Sequence, residues 1–163
     1  GLDAGLVLAV FSVGSLAGGL AFGHLPMGPW SMARRFAIVT VGLLLTMVSL
    51  NIWWLGGSLI VAGIGIAPAL AMIFAMTSAS VKFSETAEAY GWIGTGQLIG
   101  AAAGSAVAGF LIDGVGPQGA YVAAAIFAGV GCLMSIVFVR GFPDLRGRDA
   151  SPMLDTEPIQ AVG

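Results

Sequence analysis

Charged side chains are scarce in this chain: six lysines and arginines and eight aspartates and glutamates among 163 residues, or 9%, where soluble domains carry about 25%. A surface solvated by water needs more ionised groups than that, so composition argues against a soluble globular domain. Cysteine and histidine are nearly absent as well. Cys132, the single cysteine, excludes an intrachain disulfide framework and any multi-cysteine metal site; its apolar surroundings make it a small buried hydrophobe. With His24 as the single histidine, no hydrolytic triad or histidine-rich metal cluster can be assembled, so neither an enzyme nor a cofactor is expected. The net charge of −2 offers no basic stripe for nucleic acid. No ionised group sits deep in an apolar run, where each would cost about 2.5–3.5 kcal/mol. Coupling to a proton or ion is therefore not expected to pass through a midplane carboxylate here.

What is present is hydrophobic: 58% of the residues, together with 26 glycines that show no G-X-Y period. Glycine at that abundance suits helices packed closely in lipid. Crossing a bilayer takes about 20 residues, and five stretches meet that length: about 4–23, 36–54, 57–81, 89–112 and 120–139. The weakest border is 51–57, where Trp53, Trp54, Gly56 and Gly57 suggest a tight interfacial turn. None of the five has the polar face of a helix on a soluble core. The expected fold class is an all-α membrane protein of five transmembrane helices. Residues 141–163, with Pro143, Pro152 and Pro158 among mixed charges, read as a disordered cytoplasmic tail.

Threading five spans places Arg34 and Arg35 in the first loop, Lys82 in the third, and Arg140, Arg146 and Arg148 after the last. All six cations then lie on one side, which the positive-inside rule makes cytoplasmic. The expectation is a multi-pass protein of the cell's inner (plasma) membrane, its chain start external and its C-terminus cytoplasmic. No basic n-region marks the start as a signal peptide. Opening on Gly1, the chain is expected to be a fragment whose N-terminal part lies upstream.

The sharpest local pattern is Gly96, Gly100 and Gly104 in the fourth span, one glycine every four residues on one helix face, with Ser105 and Gly109 beside it. Such a groove receives another helix, as a moving interface or as static packing. The first span repeats it less cleanly, in Gly14/Gly18 and Gly19/Gly23. In the third span Gly63, Gly65 and Pro68 point to a bend, since proline removes a backbone donor. Few polar groups enter the spans: Ser12, Ser15, Thr77, Ser78, Thr95, Gln97, Ser105 and Ser135. The Gln97 amide must find a partner that lipid does not offer. It shares a face with Ala101 and Ser105, about 100° from the glycine groove, and either lines a cavity or bonds a neighbouring helix. His24 is expected at the interface. Glu85 and Glu88 suit the helix N-terminus they precede.

Together these features resemble the C-terminal half of the major facilitator superfamily, over about residues 2–140. The stretch from Gly5 to Gly23 is similar to that family's eighth helix and leads into a loop ending in Arg34-Arg35, as the family's cytoplasmic loop motif ends in basic residues. Gly63-Ile-Gly65-Ile-Ala-Pro68 resembles the tenth helix. Thr86-Ala-Glu88-Ala-Tyr90-Gly-Trp92, followed by the glycine run and Asp113-Gly114, resembles the eleventh. This last stretch is most like bacterial, particularly actinobacterial-type, efflux carriers. The loop departs from the family in having no aspartate after Gly23, so the resemblance supplies no charge-relay gate here. It implies that the five spans correspond to helices 8–12 of a twelve-helix fold, and that the chain serves secondary active transport of a small organic solute by alternating access, with proton-coupled efflux as the suggested direction. Implied partners are the lipid bilayer, the missing N-terminal half of the same protein and the small-molecule substrate. Substrate-cavity candidates are Gln97, Ser105, Thr77 and Pro68. Packing or gating falls to Gly96, Gly100, Gly104, Gly63, Gly65, Gly14 and Gly18, and the loop motif to Arg34, Arg35 and Glu88. From the residues alone a second reading stays open, a membrane anchoring or assembly domain that packs through the same small-residue faces.

Overall fold

The computed structural model describes residues 2–25, 27–48, 51–147 and 150–154, with side chains from residue 5 onward. Five α-helices follow one another: α1 (Leu2–Phe22), α2 (Ser31–Met47), α3 (Ile52–Ser78), α4 (Thr86–Val115) and α5 (Gln118–Val137). Short 3-10 turns occur at Phe83–Glu85 and Val139–Gly141. Among the described residues there is no strand, only an isolated bridge between Lys82 and Met153. The all-α membrane fold expected from composition is the one found. Gly5–Phe22, Ile52–Ser78, Phe83–Val115 and Gln118–Val137 are long and apolar enough to cross a membrane. Helix α2, at 17 residues, is about 25 Å long and carries Arg34 and Arg35 as its fourth and fifth residues.

Helix α3 is the hub. α1 and α2 pack along it, α5 packs on α2, α4 packs on α5, and α3 and α4 touch only lightly. Close approach to α3 rests on missing side chains. A Cβ on Gly14 would lie 2.6 Å from the Ile60 carbonyl oxygen, and one on Gly18 would collide with the Ile64 carbonyl. Reciprocally, a Cβ on Gly63 would lie 2.5 Å from the Phe11 carbonyl oxygen. On the other flank, a Cβ on Gly65 would meet Val39 and the Arg35 carbonyl at 2.6 and 2.7 Å. Two glycines only two positions apart thus let α3 touch a different helix on each side. Small residues at such crossings replace the hydrophobic drive that lipid cannot supply.

The connections alternate between the two ends of the bundle. At one end the α1–α2 loop, the α3–α4 loop and the segment after α5 meet. The Leu145 amide donates to the Met27 carbonyl (2.9 Å), the Met153 amide to Val81 (3.2 Å) and the Phe83 amide to Met153 (2.9 Å). Leu145 is buried with Met32, Ala69, Met72 and Met76. All five cationic residues within the described set belong to this end, which agrees with the alternation that the basic residues predicted.

Three expectations need correction. Arg34 and Arg35 lie inside α2, because the helix begins at Ser31 and the first loop ends at Trp30. The break between the second and third helices does not fall at 51–57, since α2 ends at Met47 and α3 begins at Ile52. The Asn51 side chain accepts from the Trp54 amide at 2.8 Å and caps α3 there, while the Trp54 indole donates to the Leu45 carbonyl at 2.9 Å. Trp53, Trp54, Gly56 and Gly57 are therefore helical, the cap outweighing the modest cost of glycine in a helix. Finally, residues 141–147 are not a loose tail, since an apolar Leu145 finds a buried seat; residues 148–149 and 155–163 lie outside the described set. Helix α4 also runs on through Asp113 and Gly114 to Val115, and ends where Gly116 takes a φ of 85° that favours glycine.

Gly63→Ala is expected to cost about 1–3 kcal/mol of thermal stability in detergent, whereas Gly100→Ala, with nothing within 4 Å of its Cβ, is neutral or gains about 0.5–1 kcal/mol. Equal losses at both would mean that the α4 groove is occupied within this chain. Leu145→Ala should weaken docking of the final segment by about 2 kcal/mol or more, read as faster limited proteolysis between residues 141 and 154.

Candidate functional site

Helix α4 has no buried residue, and that exposure is organised. At 100° per residue, Gln97 sits in the middle of a stripe formed by the partly covered Tyr90, Ile93, Gly104, Ala108 and Leu111. The stripe is held at both ends. Tyr90 meets Phe74 of α3 edge to face, ring centroids 5.1 Å apart at 89°. Leu111 abuts Gly119 at the start of α5, where an added Cβ would lie 2.5 Å from the Leu111 carbonyl. Between these contacts Gln97 and Ala101 are exposed, and the Gln97 amide makes no hydrogen bond to any described residue. Chain packing stops beside the one amide placed in the span.

The glycine groove is equally open. Cβ atoms on Gly96, Gly100 and Gly104 would meet nothing within 4 Å. The less regular glycines, Gly14, Gly18, Gly63 and Gly65, are the ones that pack inside this chain. Ser105 is exposed on α4.

Pro68 occupies a different place, fully buried in α3. Lacking an amide hydrogen, it leaves the Ile64 carbonyl without its usual helical donor, and that carbonyl faces Gly18. The Pro68 carbonyl accepts from the Arg35 guanidinium at 2.6 Å. Arg35 is 7% exposed, and no described side-chain polar atom that is buried lacks a partner. The paired arginines of the loop motif therefore separate: Arg35 ties α2 to the proline turn, while its neighbour Arg34 is exposed. Glu88 is exposed on the first turn of α4, with the Trp92 indole nitrogen at 3.4 Å.

Thr77 alone among the cavity candidates borders a hollow, and that hollow is open to the surface. A cavity of about 330 Å³ at the basic end is lined by Met32, Ile73, Met76, Thr77, Ser80 and Phe142, among others. Thus the structure does not bring Gln97, Ser105, Thr77 and Pro68 together. Two lie on the open face of α4, one is sealed within α3 and one lies under the docked final segment. Nearby, Asp144 binds Arg146 at 2.6 Å. This hydrogen bond first, and the carboxylate charge second, hold the Arg146 guanidinium above its ordinary pKa. Among the described residues no three His, Cys, Asp or Glu side chains form a group fit to hold a metal ion.

Sequence reasoning missed two of these features. Burial of Arg35 depends on the α2–α3 crossing, and no period in the sequence marks it. The seat for Leu145 is built by Met32, Ala69, Met72 and Met76 from two helices, and one leucine in a polar segment does not announce it.

A sequence model of the Major Facilitator Superfamily matches residues 1–159. No curated protein and no solved structure matches the chain.

Arg35→Gln is expected to weaken the α2–α3 pairing by about 1.5–3 kcal/mol, the usual worth of a hydrogen bond from a charged donor. Thermal unfolding in detergent checks it, and an unchanged midpoint would mean that the Pro68 carbonyl needs no external donor.

Proposed function

The chain belongs to the major facilitator superfamily, whose members are membrane transporters, and on that premise we propose that it is part of a secondary active carrier. The carried species is a small organic solute, moved by alternating access. The single observation supporting this reading is the uncovered face of α4, with its glycine groove and its unpartnered Gln97 amide. A 30-residue helix with none of its residues buried is built to meet something outside these five helices. In this reading that partner is the N-terminal half of the same protein. The glycines let one half rock against the other without interlocking side chains, and Gln97 and Ser105 face the route between the halves.

Solute chemistry follows from the same inventory. The interiors of the spans carry hydroxyls and one amide but no ionised acid, which favours a neutral or apolar solute over an ion. Proton-driven efflux is the direction we assign, with the coupling acid outside these helices. In this reading Thr77 sits toward the cytoplasmic mouth, and Pro68 marks the level at which α1 and α2 meet α3. Placement in the inner (plasma) membrane, with the basic end cytoplasmic, is supported by the collection of described cations at one end.

Transport by the complete protein in vesicles under an imposed pH gradient tests the reading. Gly100→Leu should lower the rate about tenfold or more by blocking the neighbouring half, while the stability of these five helices is unchanged. Gln97→Leu should raise the apparent KM for a polar solute about tenfold, the loss of one buried hydrogen bond. Wild-type transport by the Gly100→Leu protein would remove the role given to the α4 face.

A further inference from the structure

Two small hollows adjoin at the basic end of α2, and they differ in character. The first, about 160 Å³, is bounded by Gly28, Pro29, Trp30, Ser31, Arg34 and Arg146. The second, about 210 Å³, is bounded by Phe22, Leu25, Ser31, Arg34, Arg35 and Ile38. Ser31 and Arg34 line both, so the two are one continuous feature, with guanidinium groups at one end and hydrocarbon at the other. Arg34 is exposed, and among the described residues no side chain pairs with it. Arg146 lies against Gly28, where an added Cβ would sit 3.2 Å from its Nε. Asp144 is engaged with the Arg146 guanidinium, so among the described residues it does not offset the charge of Arg34.

From this juxtaposition we infer that the hollow at Arg34 and Arg146 binds the headgroup of an anionic phospholipid, with an acyl chain lying along Phe22, Leu25 and Ile38. An amphiphile is the occupant that matches both halves of the feature. Its phosphate meets the Arg34 guanidinium, which takes phosphate oxygens in a planar fork. Arg146, whose Nε and one terminal nitrogen already hold Asp144, adds a remaining N–H at the rim. Its chain covers Phe22, Leu25 and Ile38, all more than a third exposed. Trp30, also exposed, is the residue type that sits at headgroup depth. Basic hollows between helices on the cytoplasmic face recognise anionic lipid in this manner. Because Arg146 belongs to the segment that docks through Leu145, lipid and segment hold one another. The site is independent of what the protein carries.

The complete protein is purified from membranes containing phosphatidylglycerol and phosphatidylcholine, and retained lipid is counted by native mass spectrometry. Phosphatidylglycerol should be enriched. Arg34→Gln and Arg146→Gln should each lower that enrichment about fivefold, and Arg140→Gln, at the same end but outside the hollow, should leave it unchanged. Arg34→Lys should restore part of it. A second readout keeps the test independent of extraction: added phosphatidylglycerol should raise the melting temperature in detergent for the parent protein and not for Arg34→Gln. Equal enrichment in all variants would overturn the assignment. So would inorganic phosphate alone reproducing the thermal shift, since that would mark a free-anion site. Loss of transport with lipid binding intact would sink the carrier reading and leave this one standing.

Discussion

The fold turns on the backbone of α3 at Pro68. A proline in a helix deprives the carbonyl four residues earlier of its donor, and lipid supplies no water to replace it. Here the two carbonyls on either side of that gap are turned toward different neighbours. Ile64 presents its oxygen to the bare α-carbon of Gly18 on α1, and Pro68 receives the Arg35 guanidinium from α2. Contacts of the first kind are individually weak, but they require the helices to touch backbone to backbone, which glycine alone permits. The second is a charged hydrogen bond in a buried setting. Between them they fix α1 and α2 on opposite flanks of α3.

With both flanks of α3 occupied, α4 is left at the margin. It reaches the bundle through Tyr90 at one end and Leu111 at the other, and its middle stands free. This division sorts the glycines into two groups of different use. Those that meet carbonyls in the chain build the scaffold. Those of α4 leave a smooth face that nothing in the described chain fills; in the carrier proposed above, that face takes a helix from elsewhere. An interface needed for movement is best made from residues that do not interdigitate, because repacking interlocked side chains costs far more than sliding small ones.

The basic end shows how charge and packing cooperate. Leu145 seats the final segment in an apolar pocket and thereby places Arg146 beside Gly28 and near Arg34. Neither arginine is brought there by its own energetics, since both remain exposed. The apolar anchor positions Arg146, which then lines one hollow with Arg34 of α2.

Much of this was legible in the residues. Few charges and long apolar runs dictate lipid as the solvent, because no other arrangement covers that surface. The gathering of the described cations at one end of the bundle was legible from their spacing between the apolar runs. The small-residue spacing marks helices that approach closely, and the family resemblance proved sound. Local composition misled at Trp53–Gly57, where a side-chain cap at Asn51 outweighed the turn-like residues, and in the final segment, where one leucine outweighed its polar surroundings. Which glycines touch, which arginine is buried and which face stays open are properties of how helices cross. Adjacent residues on a helix differ by 100° in direction, so Arg34 and Arg35 are alike in sequence and opposite in fate. Only the packing of α2 on α3 decides between them.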